Sequence, residues 1–179
     1  VPVTVALLKG RANYVCHLYL ERARHAGRFP SRDDARYLPL IASFAQHSAT
    51  GDRSDLPAVP ENASIWSYVT STRENCLGSE CAHYSKCFVL EARRQALVAD
   101  VVVVNHHLFF ADLAVRESGM AELLPTVRTV IFDEAHQLNE TGVQFLGQQL
   151  SGGQLLDFAR DLLAGGLQHA RGLLDWQAL

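Results

Sequence analysis

The spacing of its cysteines constrains this chain more than any other feature. Cys76, Cys81 and Cys87 fall within the stretch NCLGSECAHYSKCF, while Cys16 stands far upstream, giving the pattern Cys16-x59-Cys76-x4-Cys81-x5-Cys87. A chain of 179 residues, 48% of them hydrophobic, can bury a core without disulfide staples. The opening VPVTVALLKG has no basic segment leading to a cleavage site. The apolar stretch LVADVVVV is broken by Asp100, so no run reaches membrane-spanning length. A reducing, cytoplasmic compartment is therefore expected, which turns the cysteines towards metal or redox use.

Structural zinc usually takes two tight pairs, with two to four residues between paired ligands. Here one gap is wider than that and Cys16 has no near mate. A [4Fe–4S] cluster takes four thiolates and tolerates one contributed from a distance. The spacing leans towards iron–sulfur, with zinc and unligated buried thiols as the open alternatives. His17 and His83 sit beside cysteines and are weaker ligand candidates, since a histidine next to a thiolate more often packs or faces solvent.

The rest of the chain alternates between two characters. Residues 1–8 read as a short β-run, followed by helices from about Asn13 to Ala26 and from Asp33 to about Ala49, the second capped by Ser31 or Asp33. TGDRSDLPAVPENA (50–63) is a polar linker with two prolines. A helix is expected from about Phe88 to Val98, with EARRQAL as its exposed stretch. DVVVVN (100–105) then reads as a strand covered on both faces, as in a parallel sheet. HHLFFADLAV returns to helical periodicity, with Asn105 as its cap. A second β-branched run, TVRTVIFDEAH (126–136), ends in charged residues, and the remainder of the chain is helical, with Ser151 as an N-cap.

Asp133 and Glu134 thus fall where an expected parallel strand ends, the edge at which open α/β sheets bind ligands. An Asp there can hold Mg²⁺ through its water shell, and the adjacent Glu can take a proton from an attacking water. His136 can couple such a site to neighbouring elements. Two acids after a strand are often only a loop, but the full string Asp-Glu-Ala-His is more specific and resembles motif II of superfamily 2 helicases. No G-x-x-x-x-G-K-[ST] loop occurs in the 179 residues. The chain alone is therefore expected to bind ATP weakly and hydrolyse none. Its single methionine is Met120 and it begins at Val1, so it reads as a piece of a longer protein.

The formal charge of −3 predicts no strong global field. Residues 9–36 are locally basic, however, with Arg11, Arg22, Arg24 and Arg28 near Cys16. Single-strand binding needs such cations along the backbone, together with aromatics that stack bases. Trp66, Tyr68 and Tyr84 are candidates, Trp66 more readily as core.

GRANYVC (10–16), the cluster at 76–87, ADVVVVNHHLFFADL (99–113) and VIFDEAH (130–136), in that order, resemble the DinG/YoaA-type branch of the XPD-like iron–sulfur helicases. The resemblance covers almost all of residues 5–140. It implies an α/β fold: part of a RecA-like motor domain carrying a helical [4Fe–4S] insertion and the start of a helical arch. Residues 1–12 and 98–138 would belong to the motor, 13–97 to the cluster domain and 139–179 to the arch. Cys16, Cys76, Cys81 and Cys87 match the family's cluster ligands one by one. Asp133, Glu134 and His136 match its motif II, with ATP and Mg²⁺ as cofactors of the whole protein. The implied activity is ATP-dependent 5′→3′ unwinding of single-stranded or forked DNA in repair or replication, by a monomer that is nucleoid-associated when on DNA. The rival expectation is a non-catalytic zinc- or cluster-bearing module that binds nucleic acid or protein.

Overall fold

A computed structural model describes residues 2–26, 32–117, 124–147 and 150–169. The chain divides into two compact units, Val1–Asp133 and Glu134–Leu179.

In the first unit, strand β1 (Val5–Leu7) pairs in parallel with β2 (Val101–Val103), setting Val5 against Val101 and Leu7 against Val103. A parallel pair requires a crossover, and here the crossover is the whole cysteine-bearing segment. It holds α1 (His17–Ala26), α2 (Arg32–His47), the short α3 (Trp66–Val69) and α4 (Phe88–Val98). After β2 the chain enters α5 (His106–Glu117). Asn105 caps that helix, its Oδ1 accepting the Leu108 N–H at 2.8 Å.

The crossover has its own core. Leu20 and Ala23 of α1, Ile41 and Ala45 of α2, Trp66 and Val69 of α3, and Phe88 and Val89 of α4 are buried together with Tyr14, Val15, Val59 and Ile65. The spacing of these pairs, one to four residues apart on each helix, gives every helix one inward face. A buried acid ties α2 to the entry of α3: Asp34 accepts the Ile65 N–H at 2.9 Å and the Ser64 hydroxyl at 2.7 Å. Trp66 is core rather than a stacking platform, being 3% exposed and donating its indole N–H to the Pro60 carbonyl at 2.9 Å. Ala6, Leu8 and Ala96 form a smaller cluster where α4 meets the strands.

Two expectations need correction. The run 126–132 forms no strand, and Ile131 is 89% exposed. A β-branched run becomes a strand only when a neighbouring backbone takes up its ladder, and the described sheet has only β1 and β2. Nor is β2 covered on both faces, since Val101 and Val103 are about half exposed. The Ala6, Leu8 and Ala96 cluster packs near it, with Leu108 and Leu124 partly buried against that cluster.

The second unit holds α6 (Leu138–Leu146) and α7 (Gly152–His169). Ser151 and Gln154 cap α7 reciprocally, at 2.8 and 3.1 Å. No helix among the described residues is long and apolar enough to cross a membrane.

Candidate metal centre

All four cysteines line one cavity of about 290 Å³. Each reaches it by a different local device. Tyr14 and Val15 bridge to Asp52 and Thr70, and the Cys16 N–H donates to the Val69 carbonyl at 2.8 Å, so Cys16 is pinned to the core. It immediately precedes α1, where unpaired N–H groups favour a thiolate. Burial pushes the Cys16 thiol up in pKa; the backbone N–H groups of Tyr19 and Leu18 pull against this, and Cys81 and Cys87 add to the rise. Cys87 likewise stands at the N-cap of α4.

Cys76, Cys81 and Cys87 are spaced by two 3₁₀ turns, Gly78–Glu80 and Tyr84–Lys86, each delivering the next cysteine at its C-terminal end. The four- and five-residue gaps are the lengths these turns require. The loop is moored to α1 by side chains. His83 Nε2 meets Glu21 Oε2 at 2.9 Å, and the Tyr19 hydroxyl donates to the Asn75 carbonyl at 3.0 Å. His83 is thereby engaged away from a ligand role, while the His17 ring packs on Phe88 at 4.7 Å.

Among the described residues, no three His, Cys, Asp or Glu side chains converge on a single-ion site. All four thiols instead line the shared cavity described above. The donor set is four thiols, with no carboxylate lining the cavity. That chemistry suits iron–sulfur ligation.

The arginines expected along DNA separate into different settings. Arg11 turns inward, its Nη1 donating to Cys76 Sγ at 3.1 Å; this places it at the cysteines rather than on a DNA-facing stripe. Arg22 is exposed, its guanidinium 5.4 Å from the centre of the Tyr19 ring, within cation–π reach. Arg24 is exposed at the rim of a groove beside Leu38 and Pro39 of α2. Arg28 lies outside the described residues. Tyr68 and Tyr84 keep about two-fifths of their surface exposed.

Asp133 closes the first unit and Glu134 opens the second. Phe132, just before them, packs edge-on against Phe109 of α5 at 5.1 Å. Glu134 is the only non-glycine with positive φ among the described residues, at 50°. A left-handed backbone at such a residue is locally strained. Its Oε2 stands 3.3 Å from His136 Nδ1, with both side chains solvent-exposed.

One residue escaped the sequence reading. Arg93 lies in the stretch expected to be exposed, yet it is partly buried and lines the cysteine cavity. It follows Leu90, another cavity-lining residue, by three positions, as Leu90 follows Cys87, and that stepwise spacing was the available signal.

No protein-family model matches the chain. Comparison with characterised proteins is specific, however. Over 158 residues the chain is 49% identical to the ATP-dependent DNA helicase YoaA of Escherichia coli K12, covering 88% of this chain and 25% of that protein. It is 45% identical, with the same coverage, to the YoaA of Haemophilus influenzae. To the ATP-dependent helicase DinG of Mycobacterium tuberculosis H37Ra it is 34% identical over 165 residues, 84% of this chain and 24% of that protein. The chain thus belongs to the DinG/YoaA-type helicase family, and spans about a quarter of the length of these relatives.

Proposed function

We propose that this chain is the segment of an ATP-dependent 5′→3′ DNA helicase that binds a [4Fe–4S] cluster through Cys16, Cys76, Cys81 and Cys87 and carries motif II at Asp133, Glu134 and His136. The observation that carries the reading is the meeting of the distant Cys16 with Cys76, Cys81 and Cys87 at one cavity that no carboxylate lines. In this reading the β1–β2 pair is part of a RecA-like motor, residues 13–97 are the cluster domain and residues 139–179 begin a helical arch. A bound cluster would supply a rigid cross-link between α1, α4 and the loop carrying Cys76 and Cys81. Asp133 would hold Mg²⁺ and Glu134 would accept the proton of the attacking water. With no phosphate-binding loop in these 179 residues, the chain alone hydrolyses no ATP.

Anaerobic reconstitution with Fe²⁺ and sulfide tests this. The expected product is brown, with about four irons and four sulfides per chain. A colourless protein holding one zinc would refute the cluster and favour the non-catalytic module.

The DNA role rests on Arg22 and Arg24, both exposed on α1, the helix that follows Cys16. Alanine at either is expected to weaken binding of single-stranded DNA and to reduce the log–log salt slope by about 0.7, the value for one lost phosphate contact. Fluorescence anisotropy across a salt series reads both quantities. Unchanged affinity and slope would remove this helix face from the binding path.

A further inference from the structure

Two arginines, rather than one, face the four cysteines. Arg11 donates to Cys76 Sγ at 3.1 Å. Cys87 at the N-cap of α4, then Leu90 and Arg93 within it, follow at three-residue steps, and all three line the cavity. A guanidinium stays charged at any physiological pH, and two like charges in a partly buried space repel one another at reduced dielectric. Burial lowers the Arg93 pKa and the Arg11 guanidinium lowers it further, while Cys76, Cys87 and Asp112 act in the opposite sense. Asp112 is already engaged, accepting from Arg116 Nε at 2.6 Å and from the Leu124 N–H at 2.9 Å. Four neutral thiols would leave the arginine pair only Asp112, a carboxylate already shared with Arg116. Four thiolates on a [4Fe–4S]²⁺ core sum to two negative charges, one for each guanidinium.

We infer that Arg93, together with Arg11, is the built-in counter-charge of the four-cysteine centre and raises the reduction potential of the cluster bound there. This rests on the cluster reading above. One-electron reduction at an electrode adds a negative charge to the centre, so a nearby cation stabilises the reduced form more than the oxidised one. Removing that cation must lower the midpoint.

The test is spectroelectrochemistry on the reconstituted chain. Arg93→Gln is expected to shift the redox equilibrium at least tenfold towards the oxidised form, a fall of about 59 mV for a one-electron couple. Arg93→Lys, which keeps the charge, should stay near the wild-type midpoint, as should Arg94→Gln on the exposed face of the same helix. A wild-type chain that fails to take up four irons defeats the cluster reading itself. A fully loaded Arg93→Gln chain with an unchanged midpoint overturns only the role of Arg93. If Arg93→Gln does not load, loading of Arg93→Lys at the wild-type midpoint supports the counter-charge. Failure of a folded Arg93→Lys chain to load would show that guanidinium packing is what matters, and would overturn it.

Discussion

Replacing Cys76 with alanine is expected to abolish iron retention while leaving the helical crossover folded. The reason is the uneven distribution of burial. Residues 72–86 contain only two 3₁₀ turns, and none of their side chains is buried. In water such a segment has too little apolar contact to offset the entropy of ordering it, so it depends on its mooring contacts and on whatever the cysteines bind. Cys16 and Cys87 differ, because each adjoins a helix that packs into the core of Tyr14, Leu20, Ile41, Ile65, Trp66 and Phe88. From the cysteine spacing alone, loss of one ligand would be expected to unfold all of residues 13–97, as happens in small metal domains without a core. The core makes the expected damage local. Iron analysis should fall to background, and hydrogen exchange should lose protection over 72–86 while Ile41 and Val69 keep theirs. Loss of protection throughout α2 and α3 would show that the metal centre, and not the apolar core, organises the crossover. Retained iron would remove Cys76 from the ligand set.

That contrast also marks what could be read from the residues. Signals carried by a few neighbouring positions were legible. The helix expected from Phe88 to Val98 occupies those residues, and Asn105 and Ser151 both cap as their side-chain chemistry predicts. The pairing of Val5 with Val101 is less local, yet two β-branched runs in an α/β pattern foreshadow it. Features that depend on a distant partner were not legible. The run 126–132 has strand composition, but a strand is a relation between two backbones and no described neighbour supplies the second. Arg11 and Arg93 look like ordinary solvated charges until the fold carries Cys76 to one and the Cys87 face of α4 to the other. The cysteines were legible as a set because their chemistry is rare. The space they enclose became measurable only once α1, α4 and the loop had met.

A single methyl group at Gly51 is expected to destabilise the crossover by about 2–4 kcal/mol and to impair iron loading, although Gly51 does not line the cysteine cavity. Gly51 has φ of +62°, a left-handed conformation that strains any residue with a Cβ by about 1 kcal/mol or more. It is held there from both sides: its N–H donates to Ser48 Oγ at 2.8 Å, and its carbonyl accepts the Val15 N–H at 2.9 Å, one residue before Cys16. A Cβ built on it would lie 2.2 Å from the Phe88 ring carbons, well inside contact distance. Phe88 is buried, follows Cys87 directly and packs on His17, so its ring cannot retreat without moving two residues adjacent to ligands. Overpacking of this kind typically costs about 1–3 kcal/mol beyond the backbone strain. Urea unfolding followed by circular dichroism should show a lower midpoint for Gly51→Ala, with fewer irons per chain. The collision and the backbone strain can be separated by a double-mutant cycle with Phe88→Leu. If the ring is the obstacle, the two substitutions together should cost less than the sum of each alone, and iron loading should partly return. If the costs simply add, the left-handed backbone alone accounts for the loss, and Phe88 does not transmit the change from Gly51 to the metal centre.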